Sequence, residues 1–150
     1  MNAFRTIHRW WATLLTLAVV VQIGFAGYGA FSAADKVSNG SIDENTFEDG
    51  FGLHAALGYL ILLAGLVLFL FSLGTRNRSR ILQSLLIFVL LVVQMVLGWT
   101  GAELPAVLGF LHPVNALIIL ALVGRMTGMM WREERMAAVP AAAPATSPPA

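Results

Sequence analysis

Cysteine is absent from this 150-residue chain, and charged residues make up only 11% of it. Without cysteine the chain cannot form disulfides, thiolate-ligated metal centres or iron–sulfur clusters, and it has no thiol nucleophile. The formal net charge of +1 gives no sign of a nucleic-acid partner. There is also no Ser–His–Asp set, no phosphate-binding loop and no pair of carboxylates within an apolar stretch, so no catalytic residue is predicted.

Apolar residues, in contrast, account for 58% of the sequence, and the mean hydropathy is +0.79. Soluble domains have about 45–50% apolar and about 25% charged residues, which indicates a membrane protein here. Four stretches are free of charge and long enough for the about 20 residues that a membrane-spanning helix needs. These stretches lie between Arg9 and Asp35, between Asp49 and Arg76, between Arg80 and Glu103, and between Glu103 and Arg125.

The predicted fold is an all-α, integral membrane four-helix bundle that occupies residues 1–136. An interfacial extension of the fourth helix and a disordered, Ala/Pro-rich cytoplasmic tail complete the chain. The helices are predicted at about 10–34, 51–75, 81–101 and 104–125, the extension at 126–135 and the tail at 137–150.

The basic residues predict the orientation of the bundle in the membrane. Every arginine lies before the first helix, between the second and third helices, or after the fourth, and only Lys36 lies on the opposite side. Lys and Arg are enriched in cytoplasmic loops. We therefore expect a multi-pass protein of the cell membrane with both termini in the cytoplasm.

The sequence also contains an internal repeat. Val20-Val21-Gln22 in the first helix corresponds to Val92-Val93-Gln94 in the third, and Leu53-His54 in the second helix corresponds to Leu111-His112 in the fourth. Because two helices separate each segment from its counterpart, the two-helix repeats are parallel. His54 and His112 are thus predicted in the same, outer half of the membrane.

The two histidines are the candidate axial ligands of a haem iron. Polar residues within membrane helices are costly and usually face the bundle interior. One turn beyond His54 lies Gly58, and one turn beyond His112 lies Ala116. Such small residues leave room for a flat macrocycle, so the pattern favours one haem b bound between the second and fourth helices.

Gln22 and Gln94 are candidate supporting residues of this site, which would hydrogen-bond the macrocycle or a ligating imidazole. The resulting function is that of a b-type cytochrome in electron transfer or haem handling, with a quinone or a membrane redox partner. A redox carrier or accessory protein fits better than a stand-alone enzyme, and a homo-oligomer remains open.

Two other classes of function stay open. In a cofactor-free membrane scaffold or accessory subunit, the same histidines and glutamines would join helices by hydrogen bonds. A small transporter or channel is favoured less, because no intramembrane carboxylate is present to couple ions. A zinc or copper site is also less favoured, because two histidines alone leave the coordination shell incomplete.

Four further polar residues are weaker candidates for a functional role. His8 is expected to be an interfacial anchor at the cytoplasmic side, far from the other histidines. Asn115 is expected to hydrogen-bond across helices or to satisfy a carbonyl freed by Pro113. Lys36 and Glu103 flank the outer end of the bundle, where they would meet haem propionates or water.

The segments Gly52–Tyr59 (GLHAALGY), Val93-Gln94 and Leu111–Leu117 (LHPVNAL) resemble an uncharacterised family of small four-helix bacterial membrane proteins. The resemblance spans residues 10–125, and LHPVNAL is its most specific part. It implies the four-helix fold and no particular activity.

More distantly, the layout is similar to one half of haem A synthase, which consists of two similar four-helix bundles. This resemblance implies that His54 and His112 occupy haem-ligand positions at the outer ends of the second and fourth helices. The catalytic half of the synthase has a glutamate three residues before its first histidine, where this chain has Phe51. The chain therefore resembles the half that only holds the cofactor.

Overall fold

A computed structural model describes residues 3–100 and 109–138 of the chain. Four long helices make up nearly all of this part: α1 (Ala3–Ser38), α2 (Thr46–Gly74), α3 (Arg78–Thr100) and α4 (Leu111–Ala137). Each of them is long and apolar enough to cross a membrane. The fold is therefore an all-α four-helix bundle with four candidate membrane spans.

The helices run alternately up and down around a square. α1 packs against α2 and α4, and α3 packs against the same two helices. The diagonal pairs, α1 with α3 and α2 with α4, have no Cα atoms within 8 Å among the described residues. The connection between α2 and α3 is only residues 75–77, and Arg76 makes its turn in the left-handed region at φ 53°.

We call the two ends of the bundle the arginine end and the histidine end. The arginine end comprises the start of α1, the end of α2, the start of α3 and the end of α4, and it contains every arginine of the described residues except Arg125, which lies farther into the bundle. The histidine end comprises the opposite helix ends and contains His54 and His112.

The hydrophobic core is confined to one part of the bundle. Its buried side chains lie on the arginine-end side of Gln22, His54, Gln94 and His112 along their respective helices. The core consists of Ala12, Leu15, Val19, Ile61, Leu68, Ile87, Leu91, Ile119, Val123, Met126 and Met130. Nearer the histidine end, α1 and α2 instead meet through Gly29 and Gly50, which are both buried.

Large apolar side chains cover the outside of the bundle. Phe31 is 81% exposed and Trp99 is 64% exposed, and many leucines and valines are about half exposed. A soluble monomer rarely presents apolar surface on this scale. Together with the four candidate spans, this surface indicates contact with the lipid bilayer.

The helices extend beyond the predicted spans. α1 and α2 each begin well before residues 10 and 51, and α4 continues through 126–135 without a break to Ala137. The predicted start of the fourth helix at 104 falls within 101–108, which lies outside the described residues, as does the tail from 139 onward. Within the described ranges, the prediction of four helices agrees with the structure.

Candidate functional site

His54 and His112 face each other across the diagonal of the bundle. Their ring centroids are 6.1 Å apart, and the ring planes are inclined by 57°. The histidines belong to α2 and α4, which do not pack directly against each other. The space between these two helices at the histidine end is therefore bridged by two imidazoles, both of them half-buried.

The ring of His54 is held by the neighbouring helix α1. Its Nδ1 lies 3.1 Å from the carbonyl oxygen of Gln22, and the Gln22 side-chain Nε2 donates to the carbonyl oxygen of His54 at 2.7 Å. A carbonyl oxygen can only accept, so Nδ1 carries the proton. In the neutral imidazole this leaves Nε2 with the free lone pair, which is the form that ligates a metal.

His112 lies against the neighbouring helix α3 in a similar way. Its buried Nδ1 has the backbone of Gln94 as its hydrogen-bond partner, with poorer geometry than the bond between His54 and Gln22. The ring lies against Gly98 of α3, where a Cβ atom would be 3.2 Å from Cε1 of His112. The ring of His112 is therefore packed directly on the backbone of α3 at Gly98.

Gln94 belongs to a separate polar contact between α3 and α4. The Asn115 side-chain Nδ2 donates to Oε1 of Gln94 at 2.8 Å and to the carbonyl oxygen of Leu90 at 3.0 Å. Of the two roles expected for Asn115, the structure thus shows hydrogen bonding across helices. Gln94 lies beside His112 but directs its side-chain oxygen to Asn115.

The small residues predicted beside the histidines have different surroundings. At Gly58, an added Cβ would lie 3.2 Å from Nε2 of Gln22, so this glycine makes room for the side chain that bonds His54. Ala116 is half-buried on α4. Phe51 is edge-on to His54, with ring centroids 6.2 Å apart, and it packs against Gly29.

Lys36, one of the two charged residues expected near the mouth of the site, is paired with carboxylates. Its Nζ lies 2.7 Å from Oδ2 of Asp49 and 3.7 Å from Oδ1 of Asp43. Glu103, the other such residue, lies outside the described residues. Thr46 donates to Oδ1 of Asp43, and this hydrogen bond, with the nearby Lys36 ammonium, lowers the pKa of the Asp43 carboxyl.

The expectation for His8 was wrong. His8 is fully buried rather than anchored at the surface, and its Nε2 is hydrogen-bonded to Oγ of Ser84 at 3.0 Å. Ser84 in turn contacts Sδ of Met126 at 3.8 Å. The extension of α4 covers this region, so a histidine that the sequence places near a chain end belongs to the core.

Charge pairs at the arginine end were also missed. Arg9 of α1 pairs with Glu134, and Arg80 of α3 pairs with Glu133, both glutamates being on the extension of α4. The Arg9 guanidinium also lies over the Trp131 ring, 4.3 Å from its centroid. The WREER segment at 131–135 could have indicated these pairs, because it places two glutamates on the predicted extension of the fourth helix, at the same end as the arginines.

No metal-binding cluster accompanies the histidine pair. Across residues 3–100 and 109–138, no group of three or more histidine, aspartate and glutamate side chains converges in a way that could hold a metal ion. A zinc site needs about four ligands, most of them from the protein. Within these residues, the two imidazoles alone do not complete a zinc coordination shell.

Comparison of the chain with protein-family models, with curated proteins and with solved structures found no match. The comparisons therefore identify no family. The resemblances to small four-helix bacterial membrane proteins and to one half of haem A synthase stay predictions from sequence, as does the internal repeat.

Proposed function

We propose that this multi-pass membrane protein is a single-haem, b-type cytochrome, with His54 and His112 as the axial ligands of the iron. Its role would be electron transfer or haem handling, with a membrane quinone or another redox protein as the partner. The observation that carries the proposal is the pair of imidazoles facing each other at 6.1 Å across the bundle diagonal.

The separation of the rings suits two ligands of one metal ion. An imidazole nitrogen binds a metal at about 2 Å, so two imidazoles on opposite faces of one iron have ring centroids about 6 Å apart. The observed separation of 6.1 Å agrees with this value. Rings in direct packing contact have centroids about 4.5–7 Å apart as well, so the absorption spectrum described below distinguishes a haem site from a packed pair.

The protonation of His54 supports the same role. Because Nδ1 donates to the Gln22 carbonyl, Nε2 is available for the iron, and the hydrogen bond fixes the tautomer and the direction of the ring. A bound haem would supply one-electron redox chemistry. The chain would hold it, orient it and shield it from water.

The packing around the histidines supports a large apolar guest. The hydrophobic core ends before the level of the histidines on all four helices. Gly98 borders the ring of His112, and Gly58 makes room for Gln22. In the proposed cytochrome, the macrocycle would contribute the apolar surface that side chains contribute at the arginine end.

The proposal includes the orientation and the repeat inferred from sequence. The arginines of the arginine end support a cytoplasmic location for this end and for both termini. His54 would then lie in the outer half of the membrane beside Gln22, and His112 beside Gln94. The equivalent neighbours of the two histidines are what a parallel two-helix repeat would produce.

The test is the dithionite-reduced minus air-oxidised absorption spectrum of protein purified in mild detergent from cells supplied with haem precursors. We expect sharp b-type bands near one haem per chain, and loss or strong alteration of them in His54→Ala and in His112→Ala. His8→Asn is the matched control, since this histidine lies at the opposite end and should leave the bands unchanged. A folded protein that stays colourless after haem is added back contradicts the proposal.

A cofactor-free scaffold or accessory subunit is the second candidate, and one observation favours it. The reciprocal bonds between Gln22 and His54, and those from Asn115 to α3, already join helices without a cofactor. This candidate predicts a colourless protein that co-purifies with a larger membrane complex. It also predicts that His54→Ala lowers thermal stability without any spectral change.

A further inference from the structure

A cavity lies at the arginine end, between the diagonal helices α1 and α3. Its volume is about 110 Å³, several times the space that one water molecule needs. α1 contributes Arg5 and Arg9, α3 contributes Arg80, and the extension of α4 forms the remaining wall. The buried Met130 and the exposed Arg5 and Ala137 are all in its lining, so the cavity extends from the core to the surface. We call it the arginine-end cavity.

The charges around this cavity do not balance. Two of its three arginines each pair with a glutamate on the extension of α4. Arg5, the third, has no ion-pair partner among the described residues. Residues 1–2 and 139–150, which adjoin the lining segments in sequence, contain no aspartate or glutamate. The lining therefore has one more guanidinium group than it has carboxylates.

Arg9 has an unused hydrogen-bond donor in the wall of the same cavity. Its side chain is only 8% exposed, Nη1 pairs with Glu134, and the guanidinium lies over the Trp131 ring. Nε is buried and has no acceptor within residues 3–100 and 109–138. Buried donors are nearly always hydrogen-bonded in folded proteins. An anionic oxygen in the adjoining cavity would provide the acceptor that is lacking.

This combination of groups suits a phosphate that has a single negative charge. A guanidinium group presents its donors in a planar fork that matches phosphate oxygens. The two carboxylates of the lining are already paired with arginines, which leaves one positive charge for a ligand. A phosphodiester has one negative charge and matches this excess. Free phosphate is largely a dianion at neutral pH and matches it less well.

Two tryptophans indicate that the cavity lies at the level of the lipid headgroups. Trp10 and Trp131 are in edge-on contact, with ring centroids 4.9 Å apart, and Trp131 packs against Arg9. Tryptophan is enriched where membrane proteins cross the boundary between lipid and water. Basic pockets between membrane helices bind anionic headgroups at this level. A phospholipid is therefore the source of phosphodiester that this position favours.

We propose that the arginine-end cavity binds the phosphodiester of an anionic phospholipid headgroup, with Arg5 and Arg9 as the binding residues. Arg5 would contact the phosphate at the opening, and Nε–H of Arg9 would donate to it from the wall. Because the lining comes from α1, α3 and the extension of α4, the bound lipid would hold these three helices together. This inference goes beyond the proposed haem site and is independent of it, since the histidine pair lies at the opposite end of the bundle.

The experiment measures the melting temperature of the full-length protein in mild detergent while phosphatidylglycerol is added. We expect a saturable rise with this lipid and none with phosphatidylcholine, whose choline group neutralises the charge of the phosphate. Arg5→Gln should raise the half-saturating lipid concentration about tenfold or more, because it removes a charge-assisted contact. Arg78→Gln is the matched control, since Arg78 is exposed at the same end and does not line the cavity, and it should respond like the wild type.

Arg9→Lys provides a second test. It keeps the positive charge beside Glu134 but lacks both the Nε–H donor and the planar fork. We expect the half-saturating concentration of phosphatidylglycerol to rise several-fold. The melting temperature of this variant without lipid shows separately how much the pair with Glu134 is weakened.

Three results would overturn the proposal. Equal weakening of the response in Arg5→Gln and Arg78→Gln would show an unspecific attraction between the lipid and a basic surface. An equal rise with phosphatidylcholine would show that the site does not select an anionic lipid. A saturable rise with inorganic phosphate alone would identify a free anion as the ligand. Each of these results leaves the haem spectrum, and with it the proposed function, unaffected.

Discussion

Histidines at the two ends of the bundle have opposite surroundings. His8, at the arginine end, is fully buried and bonded to a serine side chain, beside an arginine that is itself paired and nearly buried. His54 and His112, at the histidine end, are half-buried, face each other, and have backbone atoms of Gln22 and Gln94 as the partners of their rings. The same residue type is thus part of the packing at one end and available for binding at the other.

The difference shows where the fold is stabilised and where it can bind something. The arginine end combines the buried hydrophobic core with two ion pairs that join α1 and α3 to the extension of α4. The histidine end has no large buried hydrophobic side chain among the described residues, and its helices meet through glycines and polar groups. Three substitutions test this division.

Glu134→Gln should have the largest effect, at the arginine end. It leaves the Arg9 guanidinium, whose side chain is only 8% exposed, without its counter-charge. Breaking a buried ion pair from one side costs about 3 kcal/mol or more in the free energy of unfolding. The measurement is thermal unfolding of the purified protein in detergent micelles.

The adjacent Glu133→Gln is the matched control. The Glu133 side chain is 58% exposed, against 28% for Glu134, whereas the two arginines are similarly buried, at 11% and 8%. Because water screens the more exposed glutamate, we expect a smaller loss, of about 1 kcal/mol or less. Equal destabilisation by the two variants would show that burial of the glutamate does not determine how much its ion pair contributes.

Gly29→Ala should have an intermediate effect, at the histidine end. Its Cβ would lie 2.7 Å from a ring carbon of Phe51 and 2.9 Å from the carbonyl oxygen of Gly50, so α1 and α2 must separate. Overpacking of this kind costs about 1–3 kcal/mol. In the proposed cytochrome it should also shift the haem bands, since Phe51 contacts His54.

Gly27→Ala, two residues earlier on the same helix, meets nothing within 4 Å and should be neutral or slightly stabilising. Loss of stability in both variants would show that α1 does not tolerate replacement of its glycines in general. The close contact of Gly29 with α2 would then not be the cause.

Thr46→Val should have the smallest effect, and one that depends on pH. The hydrogen bond from Thr46 lowers the pKa of Asp43 in the folded protein, so its contribution to stability is present at neutral pH and is lost as pH falls through that lowered pKa. The difference in melting temperature between wild type and variant should therefore shrink below about pH 4. A constant difference from about pH 7 to about pH 3 would exclude a contribution from Asp43.

Much of the fold follows from the distribution of charge along the chain. The four uncharged stretches predict four helices because a lipid-exposed backbone has to satisfy its own hydrogen bonds. The helix ends are less predictable, because α1 and α4 continue through charged segments. The distribution of charge alone assigns these segments to the membrane surface. Those continuations bring Arg9 and Glu134 together, and neither residue could be paired from sequence.

The candidate site could be predicted in part. The structure brings His54 and His112 together, as their polar character within apolar helices suggested, and it places Gln22 against His54. The different surroundings of the two histidines were not predictable, because both follow a leucine in similar segments. The difference arises from where α4 begins and from the glycine on α3 that faces His112.

The position of the two histidines on diagonal helices has a consequence for biosynthesis. α1 and α2 form one antiparallel hairpin and α3 and α4 a second, and each hairpin contributes one histidine. Neither hairpin alone can present the pair, and the second histidine enters the membrane only with the last of these four helices to be synthesised. The pair is therefore complete only after all four helices have been inserted and have packed together. A partly assembled bundle would lack the pair.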